Sequence, residues 1–247
     1  RERRRAALAW LGRLERVLCI SEDQKRRFAQ ICPPGVPLDL LYLSRKSYAE
    51  TPPEPENSSA DAPLRLVALN IVSKPKGLDI LIEAFRELAE AGVAAVLELY
   101  GLSEQPEGCP SLPNITCRGP YAPGDLDTIA RRADMGIIPS VWPEAYGYVG
   151  PELLSRGVPL LASDVGAMRE YIVEGETGYL YPAEDAHALA GTIRRLATDR
   201  AEAQRLRRNA RMRKHNFPFF GEHIEELEAV YASVRPARTE AGKEVTR

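Results

Sequence analysis

The chain has 247 residues, enough for one large α/β domain and an accessory segment, and too many for a single small module. Its 33 Lys and Arg against 35 Asp and Glu leave a formal net charge of -2, which argues against a dedicated nucleic-acid binder, since that function gathers phosphate-neutralising cations on one surface. Cys19, Cys32, Cys109 and Cys117 show neither CxxC nor Cys/His ligand spacing, so no zinc site or disulfide framework is expected and a reducing cytoplasm fits.

The arginine-rich start, RERRRAALAWLGRLERVLCIS, is broken by charge before a signal-type apolar core forms, and no later apolar run has the length to cross a bilayer. The first residue is Arg1, not Met, which fits a piece of a longer protein. RVLCIS has the pattern of a short buried strand, and EDQKRRFAQIC that of a polar-faced helix ended by Pro33-Pro34. In SYAETPPEPENSSADAP (47–63) prolines, acids and serines replace any apolar period; the stretch is expected to be a linker that separates residues 1–46 from the rest.

From residue 64 two patterns alternate. LRLVALN (64–70) is strand-like, GLDILIEAFRELAEAG (77–92) carries apolar residues at helical spacing, and AAVLELYG (94–101) is strand-like again. NITCRG, MGIIPS and VPLLAS predict further strands, with helices at GDLDTIARRA and ELLSR between them. Such alternation, with continuously apolar strands, predicts an α/β fold with a doubly wound, Rossmann-like parallel sheet over 64–220. Between Arg194 and Lys214 nine Lys or Arg accompany only Asp199 and Glu202, which describes a solvated basic helix or else a surface for a partner domain or an anionic membrane. GEHIEELEAVYASV (221–234) predicts the last helix, within a closing segment 221–247.

Doubly wound sheets bind ligands at the carboxyl ends of their strands. After the first strand, IVSKPKGLD brings Lys74 and Lys76 to the start of the helix opened by Gly77, where cations and free backbone N–H groups attract phosphate. The dinucleotide pattern GxGxxG is missing from that turn, which counts against a dehydrogenase. PEAYGYVGPE (143–152) sets Glu144 and Glu152 eight positions apart across Gly147, whose missing side chain permits close backbone approach. Successive amides there suit a diphosphate, and carboxylates accept well from paired hydroxyls, so the two acids fit a ligand with sugar, diphosphate and ribose in a row. The same spacing also fits a loop charge followed by a helix N-terminal acid favoured by the macrodipole. Trp142 and Tyr146 would either stack on a sugar or pack under the loop. Asn-Ile-Thr at 114–116 has the form of a glycosylation acceptor but falls in a predicted strand, so it is taken as incidental.

The E-x7-E segment, followed by LLSRGVPLLASDVGAMREYIVEGETGYLYPAEDAHALAGTIRRL and preceded by KGLDILIEAF, ELYG and IIPSVWPE, resembles the C-terminal, donor-binding domain of group 1 retaining glycosyltransferases of GT-B architecture. The resemblance runs from about residue 64 to 235 and implies that 1–46 is the end of an N-terminal domain, 47–63 the hinge and 221–234 a crossover helix. It implies that Glu144 contacts donor-sugar hydroxyls, Glu152 the nucleotide ribose, and Gly147, Tyr148 and Val149 the diphosphate. Lys76 matches the family's phosphate-binding lysine, which stabilises the departing diphosphate. Five positions before that lysine the family usually has an Arg, where this chain has Ile71, and the glycine before it is replaced by Asn70, leaving Lys74 as the substitute cation, a point charge and not a fork. The base is expected near TCRGPY, at Arg118. The donor is a nucleoside diphosphate sugar; no metal or other cofactor is implied. The acceptor site and the family's usual histidine belong to the N-terminal domain, and His187, His215 and His223 are expected to be ordinary helix-surface residues. Two alternatives remain: a non-catalytic nucleotide-sugar-binding module, and a nucleotide-sugar epimerase of the same architecture.

Overall fold

The computed structural model describes residues 2–56, 62–71, 73–101 and 112–234. Cys109 lies outside them. The chain opens with α1 (Glu2–Leu11), β1 (Val17–Cys19), α2 (Glu22–Ala29) and β2 (Leu38–Leu40). Ser21 starts α2 by accepting from the Gln24 amide, and β1 pairs in parallel with β2. This small unit is fastened to the main domain: the Glu170 carboxylate accepts from the amides of Glu22 and Asp23 at 2.8 and 2.9 Å, closing the α2 N-terminus from 147 residues away.

The main domain follows as β3 (Leu64–Leu69), α3 (Leu78–Glu90), β4 (Ala95–Tyr100), β5 (Ile115–Gly119), α4 (Leu126–Arg132), β6 (Met135–Ile138), α5 (Val149–Leu154), β7 (Leu160–Ser163), α6 (Met168–Tyr171), β8 (Gly178–Tyr181), α7 (Ala186–Thr198), α8 (Arg200–Met212) and α9 (Phe220–Val234). Strands β3 to β8 form one parallel sheet in the order β5-β4-β3-β6-β7-β8. The doubly wound expectation is met. Alternation along β3 divides its side chains between the two layers: Leu64, Leu66 and Ala68 face α3 and α7, whereas Val67 and Leu69 face α4, α5 and α6. β6 and β7 are buried at every position, which is why they read as unbroken apolar runs; β5, at the edge, alternates. The chain winds outward from β3 to β5 and returns to lay β6 beside β3, so the loops leaving β3 and β6 diverge at the reversal of strand order.

Two sequence expectations change. Residues 47–56 run as a strap against the main domain: Tyr48 is buried edge-on to Phe217, the Ala49 amide donates to Ser155 Oγ, the Glu56 amide donates to the Arg131 carbonyl, and Arg211 holds the Pro53 carbonyl and the Glu54 carboxylate. Proline-rich backbone offers carbonyls without competing N–H donors, and the arginines of α4 and α8 take them up. The basic run is also largely engaged within the chain: Arg194 pairs with Glu87, Arg200 with Asp134, Arg205 with Glu202 and Arg213 with Glu176, Arg195 stacks on Tyr179, and buried Arg207 donates to the Ala130 carbonyl. Among the described residues no helix is long and apolar enough to cross a membrane.

Candidate donor site

Gly77 explains how the loops after β3 and β6 come together. Its φ is +78°, and a Cβ there would lie 1.8 Å from the Pro139 carbonyl oxygen, so only glycine lets the two backbones cross. The Val141 amide then donates to the Pro75 carbonyl, and Lys76 is delivered beside the loop that carries Glu144. Nζ of Lys76 and the Glu144 carboxylate form an ion pair, and Ser140 Oγ donates to the same Oε1 at 2.9 Å. Ser140 is in turn positioned by Ser163 of β7, whose hydroxyl donates to the Ser140 carbonyl at 2.5 Å.

Glu152 stands in the first turn of α5 and is 4% exposed. A buried carboxylate needs partners, and it finds them in the chain leading out of β2: Ser47 Oγ donates at 2.7 Å and Arg45 Nη1 at 3.1 Å, both to Oε1. The Arg45 guanidinium lies over the Tyr148 ring, 4.3 Å from its centroid. Glu144 and Glu152 open on one cavity of about 390 Å³, shared with Lys76, Arg45, Asn70, Ile71 and the Gly147-Tyr148-Val149 turn. Gly147 has φ +77°, and Tyr148 and Val149 begin α5, where a helix leaves its amides unpaired. Asn70 is held at φ +56° and donates through Nδ2 to the Tyr121 hydroxyl at 2.8 Å. Burial, with the Glu152 charge nearby, pushes that phenol up to about 12, so it stays protonated.

Other expected residues lie elsewhere. Lys74 lines a separate cavity with Trp142 and Glu184, and Trp142 is 61% exposed. Arg118 pairs with Glu98 on the neighbouring strand, outside the Glu144–Glu152 cavity. Tyr146 is buried among Tyr42, Tyr148 and Tyr171, packed under the loop, and it also contributes to the lining of the Glu144–Glu152 cavity. Of the histidines only His187 is a helix-surface residue, paired with Glu87; His215 follows α8 stacked on Phe217, and His223 is buried on α9. None lines the cavity. Asn114 is buried and donates to the Phe85 carbonyl, so its sequon is incidental. Among the described residues no cluster of three His, Cys, Asp or Glu could hold a metal. Arg45 and Ser47 were missed by sequence reasoning because neither belongs to a local pattern; Ser140 and Tyr121 lie in quoted stretches, IIPSVWPE and TCRGPY, but their hydroxyl contacts show only in the structure.

Residues 54–213 match the family described as Glycosyl transferases group 1. The chain belongs to that family. A D-inositol 3-phosphate glycosyltransferase of Xylanimonas cellulosilytica is 30% identical to this group 1 glycosyltransferase chain over 234 residues, 84% of the chain and 52% of that protein. The glycogen synthase of Mycobacterium tuberculosis is 36% identical over 89 residues, 36% of the chain and 21% of that protein. Among solved structures, the sucrose-phosphate synthase of Thermosynechococcus elongatus superposes with a TM-score of 0.77 at 23% identity, covering 94% of this chain and 61% of that one. Anabaena HepE in complex with UDP-glucose gives 0.77 at 19% identity, covering 94% and 68%. The fold is therefore the Rossmann-like unit of GT-B glycosyltransferases, and the chain spans about half the length of the Xylanimonas relative.

Proposed function

We propose that this chain is the donor-binding half of a retaining glycosyltransferase, which moves a hexose-type sugar from a nucleoside diphosphate to an acceptor hydroxyl in glycan biosynthesis. The observation that carries the proposal is the shared cavity: Glu144 and Glu152 open on it together, with Lys76 against the first and the start of α5 between them. Glu152 uses Oε1 for Ser47 and Arg45, so Oε2 is left to accept from a ribose hydroxyl. Glu144, oriented by Lys76 and Ser140, accepts from the sugar. Lys76 and the α5 amides offset the charge that develops on the departing diphosphate. UDP is the first nucleotide to test, since the HepE structure holds UDP-glucose. The acceptor site and the remaining catalytic groups come from the chain's own N-terminal domain, of which α1, β1, α2 and β2 are the end. A cytoplasmic setting is part of the proposal; among the described residues Cys19, Cys32 and Cys117 form no disulfide with one another. The internal partners of the basic run leave contact with a membrane surface weakly supported.

Thermal unfolding with UDP, GDP, ADP and their sugar conjugates tests the proposal. One nucleotide stabilises the wild type, and Glu152→Ala abolishes that stabilisation, because a ligand that binds only the native state raises its stability. Absence of any shift with all three would overturn it, and measurable transfer by this chain alone would overturn its dependence on the N-terminal domain. A second reading, a nucleotide-sugar-binding module without transfer, draws on Ile71: it lines the cavity with an aliphatic side chain, 4% exposed, where the family resemblance expects a guanidinium. Transfer by a longer protein that includes this chain would dismiss it.

A further inference from the structure

Among the described residues the charged side chains that line the cavity are Arg45, Lys76, Glu144 and Glu152, two of each sign, so this lining is close to neutral. A diphosphate brings at least two negative charges to it. Lys76 is tied to Glu144, and Ile20, Leu43, Leu69 and Ile138 add apolar lining. Arg45 is the other cation, and the one with a planar fork of donors. Its guanidinium carries five N–H groups and gives one bond to Glu152, and its side chain stays 51% exposed although that of Glu152 is 5% exposed. Stacking on Tyr148 fixes its plane at the residue that leads into α5.

We propose that Arg45 is the second phosphate-binding cation of the donor site, and that it holds Glu152 in place for the ribose through the same guanidinium. This rests on the donor-site reading above. The ligand chemistry is an anionic phosphate oxygen adjoining a ribose whose hydroxyls reach Glu152. Arg45 enters from the segment that joins β2 to the strap, so the piece of chain that precedes the main domain completes the nucleotide site. A planar fork with a fixed orientation suits phosphate oxygens better than a flexible ammonium.

Titration of the wild type, Arg45→Ala and Arg45→Lys with UDP and with uridine tests this, with GDP and guanosine or ADP and adenosine as the parallel pairs. A phosphate contact through a charged donor makes the preference for UDP over uridine fall by about tenfold or more in Arg45→Ala, with partial recovery in Arg45→Lys. Equal weakening of UDP and uridine would reduce Arg45 to support for Glu152 and overturn the proposal. Unchanged or tighter UDP binding would mark it as a plug and also overturn it. Thermal midpoints of the free variants separate these results from misfolding, and Arg45→Lys, which keeps the charge, serves if Arg45→Ala does not fold. A wild type that binds none of the three diphosphates overturns the donor-site reading and this proposal together, whereas UDP binding that ignores Arg45 sinks this proposal alone.

Discussion

Replacing Gly166 by Ala moves Glu144 without altering any group in the cavity. Gly166 has φ +58°, and a Cβ there would lie 2.3 Å from the Glu144 carbonyl oxygen and 2.7 Å from its amide nitrogen. Backbone atoms cannot rotate aside, so reaching an ordinary 3.4–4 Å separation parts the turn after β7 from the Glu144 loop by about 1.1–1.7 Å. The left-handed conformation costs a side chain roughly 1–2 kcal/mol, and loss of the Ala167 amide bond to the Glu144 carbonyl about 1 kcal/mol more. Together these lower the melting midpoint by roughly 4–12 °C for a chain of this size. A displacement of about 1 Å is enough to reduce transfer on the order of 100-fold in the enzyme that contains this chain. UDP affinity stays near the wild-type value, because Glu152 is anchored on the other side by Ser47 and Arg45. Calorimetry, UDP titration and a transfer assay read the three effects. An unchanged midpoint with unchanged transfer would refute the reasoning, as would loss of UDP binding in a folded variant.

Burial against Phe217 lowers the His215 imidazole to about 4, so the unfolded chain binds a proton there between pH 6.5 and 4 that the folded chain refuses. Stability from this group is complete above pH 6.5 and declines as pH falls towards 4, by up to about 3 kcal/mol; His215→Phe flattens that part of a denaturation–pH profile, and an unaltered slope would contradict the assignment. Arg207 is buried with one bond, to the Ala130 carbonyl, while Nε and Nη1 lack partners and burial lowers the guanidinium to about 10. In urea unfolding Arg207→Met is expected to be as stable as the wild type or more stable by up to about 1 kcal/mol, and Arg207→Ala less stable through lost packing; a Met variant as weak as the Ala variant would show that the charge itself is needed.

The parallel sheet was legible in the sequence because burial on both faces leaves β3, β6 and β7 nearly free of polar residues. Glu144, Glu152 and Lys76 were legible as a pattern, and the structure gathers all three. Arg45 and Ser47 were not, since their partner Glu152 stands 107 and 105 residues away and nothing local in SRKSY signals it. The 47–56 segment has the composition of a free linker, and its docking depends on Arg131 and Arg211, whose role in α4 and α8 shows only in three dimensions. Lys74 and Arg118 illustrate the converse: cations near the right strand ends whose side chains lead to other cavities or partners.

The strap has a consequence for the order in which the molecule is assembled. The Glu152 site is closed by Ser47 across 105 residues, and Glu144 meets Lys76 across 68. Contacts of such separation are slow to form, since the entropy of closing a long loop must be lost before they reward it. The Glu144–Glu152 cavity therefore belongs among the last parts of the chain to form, after β6 has returned to β3 and the strap has docked. A nucleotide bound there as proposed would find nothing complete to bind in earlier, collapsed species, so it would slow unfolding and leave the rate of folding almost untouched.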